Sequence, residues 1–163
     1  MRTPVPSFIH GLTSLSKFLT IAEAHCEARK IDPSVMINAR LFPDMPHLIA
    51  NVRMACDTAK GLAARLSQTD NPIFEDDEAT FAALQARIAK TVEFMESVPD
   101  AGFEGAEDRE ITMKFGPQEM TFSGERYFDG FATPNFYFHM TTVYAILRHS
   151  GVELGKRDFL GAA

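Results

Sequence analysis

Tryptophan is absent from this chain of 163 residues, and cysteine occurs only twice, as Cys26 and Cys56. Two cysteines cannot build a disulfide framework. A chain of this length needs none, because it buries roughly 70% of its unfolded surface in one compact domain. Positive charge is scarce as well: 16 Lys and Arg face 22 Asp and Glu, for a net charge of −6 and a pI near 5.3. Nucleic acids and anionic membranes both call for a positive field, so neither is expected as a partner. No apolar run approaches the roughly 20 residues that cross a bilayer. The start, Met1-Arg2-Thr3-Pro4, lacks the pattern of a secretory signal, since Ser7, His10, Gly11 and Lys17 interrupt the apolar residues. A soluble cytoplasmic protein is the expectation. Catalytic motifs are missing too: there is no HExxH, phosphate loop, nucleophile elbow or CxxC. Gly102 and Gly105 lack the flanking strand and helix of a phosphate cradle and read as loop glycines.

What is present is apolar volume, with 14 Phe and 8 Met, arranged at helical spacing. Phe8, Leu12, Leu15, Leu19, Ala22 and Cys26 recur every three or four residues and predict a helix from Ser7 to Arg29, with Pro4 and Pro6 ahead of it. Asp32-Pro33 ends that helix, and a short helical turn is expected at Ser34–Ala39. Asp44 reads as the N-cap of a second helix with Pro46 in its first turn. That helix carries Leu48, Val52, Ala55, Ala59, Leu62 and Leu66 on one face, with Arg53, Asp57 and Lys60 opposite, and stops near Thr69. The acidic run Glu75–Glu78 suits the solvated start of a third helix, where it faces the positive end of the dipole. Its apolar stripe is Phe81, Leu84, Ile88, Val92 and Met95, and Pro99-Asp100 closes it.

The period then switches from helical to alternating. Ile111–Phe115 and Met120–Phe122 alternate around Gly116-Pro117-Gln118-Glu119, which is turn chemistry, so a hairpin is expected. A lone hairpin is marginal in water, so Ile111, Met113 and Phe115 should pack on the helices, with Met120 and Phe122 opposite them. A short helical segment at Glu125–Gly130 leads to Thr133-Pro134, an apparent N-cap and first-turn proline. The last helix runs to His149 and stops at Ser150-Gly151. The expected fold is all-α: one domain over residues 1–163, a four-helix bundle with one β-hairpin inserted before the last helix.

That last helix carries an oddity. On a helical wheel with Asn135 at zero, Thr142 and His139 fall at about 340° and about 40°, inside an arc of Phe136, Phe138, Val143, Ala145, Ile146 and Leu147. Polar groups at the centre of an apolar face need partners, since leaving one unpaired costs ~1–3 kcal/mol. Asn51 sits similarly on the shoulder of the second helix. These residues form either a satisfied core network or a ligand site of the kind bundles build from inward polar groups. Tyr137 and Tyr144 fall on the opposite side, at about 200° and about 180°, where an interface or a covering segment would use them.

The stretch from Asn135 to Gly151 resembles the last helix of the DinB/YfiT-like superfamily of metal-dependent helical proteins, whose motif is HxxxHRGQ followed by LLRxxG. Matching Ile146-Leu147-Arg148 and Gly151 to that tail puts His139 at the second histidine, Asn135 at the first and Thr142 at the glutamine. Phe42-Pro43-Asp44-Met45, Ala55-Cys56-Asp57, the hairpin and the ending from Ile146 to Lys156 are similar to an uncharacterised bacterial branch of that superfamily, a domain of unknown function. The resemblance implies a site built from one residue of the second helix and two of the last, and it implies homodimers. Here asparagines replace two of the three histidines, with Asn51 standing for the second-helix ligand and His47 one turn before it pointing away from the apolar centre. Amide oxygens are poor ligands for Zn²⁺ or Ni²⁺, so no resident metal or other cofactor is expected. A small polar ligand held by Asn51, Asn135, His139 and Thr142 is the expected function. The alternative implied by the resemblance is a metal- and thiol-dependent transferase or isomerase.

Overall fold

A computed structural model describes residues 3–161, with the side chain of Phe115 outside that description. The elements run α1 (Val5–Arg29), α2 (Pro33–Ile37), α3 (Leu48–Ser67), α4 (Phe81–Ser97), β1 (Glu110–Phe115), β2 (Gln118–Ser123), α5 (Gly124–Tyr127), α6 (Thr133–His149) and α7 (Lys156–Phe159). Four long helices make the bundle: α3 packs between α4 and α6, and α1 closes the ring by packing on the same two. The predicted stripe of α1 is its buried face, with Leu12, Leu15, Leu19, Ala22 and Cys26 sealed from solvent. On α3 burial reaches well beyond one stripe, taking in Cys56, Ala63 and Ala64. Among the described residues no helix is long and apolar enough to cross a membrane.

Three local expectations give way to tertiary context. The second helix starts at Leu48, not at Asp44. His47 is its cap, with Nδ1 accepting from the Ala50 N–H at 3.0 Å. The preceding loop is folded on itself instead, because Arg40 Nη1 donates to the carbonyls of Pro43 and Met45 and Leu48 N–H donates to Ala39 O. The third helix starts at Phe81 behind a Thr80 cap, so the acidic run lies before it, in a segment without regular structure. Thr133-Pro134 does not start a helix either, for Ala132 and Thr133 already have helical backbone. Pro134 has no N–H to give the preceding turn and its ring crowds the carbonyl four residues back. The chain absorbs this by widening the turn at Phe128–Ala132, where Thr133 N–H reaches back five residues to Phe128 O. The helix ends as expected, with Gly151 at φ 89°.

The hairpin pairs Ile111 with Phe122 and Met113 with Met120, closed by Gly116-Pro117 alone, a tighter turn than the four residues anticipated. Ile111 is 5% exposed, and Met113 and Phe122 pack against the core, whereas Met120 is 48% exposed. Only part of the expected apolar face therefore lies on the bundle, and the Phe115 part lies outside the described residues. Ile111→Ala should cost about 2 kcal/mol, while Met120→Ala should change stability by less than about 0.5 kcal/mol. Equal urea midpoints for the two variants would show that the hairpin does not rest on Ile111.

Candidate functional site

The seam between α3 and α6 brings Asn51 and His139 together. Asn51 Oδ1 lies 3.0 Å from His139 Nδ1, with both side chains buried. The amide of Asn51 is fixed from the other side, since its Nδ2 donates to Pro46 O at 2.9 Å and His47 O at 3.0 Å. With both amide hydrogens used, Oδ1 is an acceptor, so Nδ1 of His139 carries the hydrogen between them. Burial holds the imidazole below its ordinary pKa, which keeps the ring neutral at physiological pH. Nε2 is then a lone-pair acceptor. The described residues leave three buried polar side-chain atoms unbonded, Ser14 Oγ, Arg87 Nε and Thr133 Oγ1. Nε2 is not among them and has no protein partner, so it keeps a path to solvent.

One turn earlier on α6, half-buried Asn135 turns to α3 at a different level. Its Nδ2 donates to Thr58 Oγ1 at 2.8 Å, and Thr58 in turn donates to Met54 O at 2.7 Å. Thr142 is buried, but its hydroxyl turns back on its own helix, onto Phe138 O at 2.8 Å. Its outer surface joins Leu41, Tyr137, Phe138 and Ala145 along an open groove of about 430 Å³. Asn51 and His139 are therefore one unit, Asn135 a second beside it, and Thr142 a wall residue. His47 is committed to capping α3. Of the two tyrosines expected on the outer face, Tyr137 is 37% exposed, but Tyr144 is covered by the rings of Phe18 and Phe159, each 6.0 Å away. Phe18 of α1 and Phe159 of α7 thus leave Tyr144 half-buried and less available to an interface than Tyr137.

A transition metal does not fit these donors. Among the described residues no group of three His, Cys, Asp or Glu side chains is arranged to hold a metal ion. The seam has one imidazole, and the amide oxygen nearest to it already accepts from that ring. A thiolate is not at hand either. Cys26 and Cys56 are both buried and unpaired, and burial pushes the Cys56 thiol up to about 12 against the opposing pull of Thr91 and Arg87.

Sequence reasoning missed a second polar constellation, on the other flank of α3. Arg87 is 3% exposed; its Nη1 meets Glu78 Oε1 at 2.8 Å and Asp76 Oδ1 at 3.0 Å, and its Nη2 meets Asp57 Oδ1 at 2.9 Å. Arg53 Nε closes on the other oxygen of Glu78 at 2.6 Å. The ring of Phe74 packs against the cations of Lys60 and Arg87, 5.2 Å and 5.6 Å from its centre. Burial raises the pKa of Glu78, but hydrogen bonds from Arg87 and Arg53 outweigh it and hold the carboxyl below its ordinary value. This network ties residues 71–78 to the bundle and explains why the acidic run is not a solvated helix start. The legible signal was Arg53 and Lys60 on one face of α3, opposite in sign to the acidic run that follows the helix.

An all-helical ring of this kind, with its polar seam between the second and last long helices, defines a DinB-like bundle. The family described as a domain of unknown function (DUF1993) matches residues 2–160, and this chain belongs to it. The crystal structure of a DinB family member protein from Shewanella denitrificans is 40% identical, with a TM-score of 0.91 over 98% of this chain and 90% of that one. No curated protein matches.

Proposed function

We propose that this chain is a cytoplasmic binding protein with a degenerate metal site, holding a small polar ligand at the α3–α6 seam through Asn51, Asn135, His139 and Thr142. The observation that carries this reading is the Asn51–His139 hydrogen bond, 3.0 Å long between facing helices. It orients an imidazole as an asparagine or carboxylate does in many sites, yet it leaves the outer nitrogen unbonded. A histidine sealed from solvent would need partners for both ring nitrogens within the fold. The two buried, unpaired cysteines are at home in a reducing compartment.

His139→Ala is expected to fold, to lose about 1–3 kcal/mol through the orphaned Asn51 oxygen, and to lose the thermal shifts that small polar compounds give the wild type. Thermal-shift screening of both proteins against one compound library checks this. Hits that shift the variant as much as the wild type would overturn the reading.

A further inference from the structure

The amide of Asn51 has two possible orientations, and its surroundings select one. Nδ2 donates to Pro46 O at 2.9 Å and to His47 O at 3.0 Å, while Oδ1 faces His139 Nδ1 at 3.0 Å. Turned over, the amide would set its oxygen against two carbonyl oxygens and offer a hydrogen to Nδ1. The neutral ring would then carry its own hydrogen on Nε2. The two carbonyls therefore select the tautomer of His139 from the far side of the amide. His47 O is fixed by the helix, since it also accepts the Asn51 backbone N–H at 3.1 Å in the first turn of α3. Pro46 O belongs to the loop before α3, residues 38–47, and its position depends on how that loop is held. Arg40 Nη1 donates to Pro43 O at 3.2 Å and Met45 O at 3.3 Å, Met45 N–H to Phe42 O at 3.0 Å, and Leu48 N–H to Ala39 O at 3.0 Å. Leu41 of the same loop lines the open groove with Tyr137 and Phe138 of α6, so an occupant of that groove bears directly on the loop.

We infer that this loop regulates the seam: through Pro46 O and the Asn51 amide it sets whether the outward nitrogen of His139 accepts or donates a hydrogen bond, and Arg40 is the positioning residue that holds it. With the loop seated, Nε2 offers a lone pair. With the loop displaced, the amide is released from one carbonyl and Nε2 can carry the hydrogen instead. The path is a short chain of hydrogen bonds, and neither α3 nor α6 has to move. The inference rests on the binding reading above and deepens it by naming how the site is controlled.

¹⁵N-histidine NMR at pH 7.5 reads the tautomer of His139 with no ligand present, so the result is independent of the compound screen. The wild type should show the Nδ1–H tautomer. Arg40 is exposed, so Arg40→Ala should fold with unchanged helical content, and it should raise the Nε2–H share severalfold. Arg40→Lys should restore the wild-type spectrum, because both Arg40 bonds come from one nitrogen, which an ammonium with three hydrogens can replace. Asn51→Ala should give a mixed tautomer whichever residue stands at position 40, which would put the amide on the path. Thr58→Val removes the partner of Asn135 across the same seam and should leave the tautomer as it is. An Nδ1–H spectrum unchanged in Arg40→Ala, or an Nε2–H tautomer in the wild type, would overturn the loop's control and leave the binding reading to its own screen. A screen without hits, with the tautomer shifting as expected, would instead overturn the binding reading, and the regulatory role with it.

Discussion

Arg87→Ala should destabilise the protein by about 3 kcal/mol or more, because it removes one partner of a buried ion pair and leaves the other charge behind. The side chains of Arg87 and Glu78 are 2% and 8% exposed, so neither charge can turn to water in place. Arg53 still faces Glu78 at 2.6 Å, which keeps the loss toward the lower end of the range for such pairs. Asp57 and Asp76, at 42% and 62% side-chain exposure, add little, since exposed pairs contribute about 0–1 kcal/mol. The double variant Arg87→Met, Glu78→Gln should recover part of the loss by removing both charges while keeping volume. Urea midpoints for the three proteins decide the matter. A double variant no better than Arg87→Ala would mean that the lost packing against Phe74, not the stranded charge, sets the cost.

The same network fixes a direction for pH. The folded-state pKa of Glu78 is lowered, so its contribution is complete above its unfolded value and disappears as pH falls through the folded one. His139 is also lowered, by burial, so the unfolded chain takes up its proton first and stability declines as pH drops below the ordinary histidine value. Acidification should therefore weaken the protein in two legs, the first below about pH 6.5 from His139 and the second below about pH 4.3 from Glu78. His139→Ala should remove the first leg and Arg87→Ala should flatten the second.

How far the fold was legible follows from what periodicity can express. The stripes of α1 and α4 read directly as buried faces because each of those helices packs on one side. Asn51 and His139 stood out for the same reason, as polar residues inside apolar arcs. Their pairing did not, because it depends on the level at which α3 meets α6. The arrangement is antiparallel, with Asn51 meeting His139 and, two turns on, Thr58 meeting Asn135. The partners of Arg53, Asp57 and Lys60 were illegible for a different reason. A wheel assigns charged residues to water, yet Lys60 is 6% exposed and Glu78 9%. Burial of charge is decided by partners far along the chain, and no local period encodes it. Pro134 fails similarly: local preference asks for a helix start, while packing of Ala132 and Phe136, both fully buried, keeps one helix running through.

Gly124→Ala should cost more than any single core truncation, through a backbone collision. Gly124 opens α5 directly after the hairpin, and the turn at Ala106–Asp108 passes against it. A Cβ at Gly124 would collide with Ala106 O and lie 2.9 Å from Ala106 C, neither of which belongs to a side chain that can rotate away. Ala106 is itself fully buried, so the turn cannot retreat without opening the core beside Leu66. Retreat of α5 is no easier, since it would drag Tyr127 from its buried place and from Arg65, whose Nη1 donates to the tyrosine hydroxyl at 3.1 Å. The expected loss is about 4 kcal/mol or more, in the exceptional class for a point change, and a melting temperature lower by roughly 10 °C or more at ~2–4 °C per kcal/mol. Gly130→Ala is the matched comparison. Nothing lies within 4 Å of a Cβ there, and the position is helical, so that variant should equal or exceed the wild type by up to about 1 kcal/mol. Similar melting temperatures for the two variants would show that the Ala106 turn can move aside to admit a side chain at Gly124.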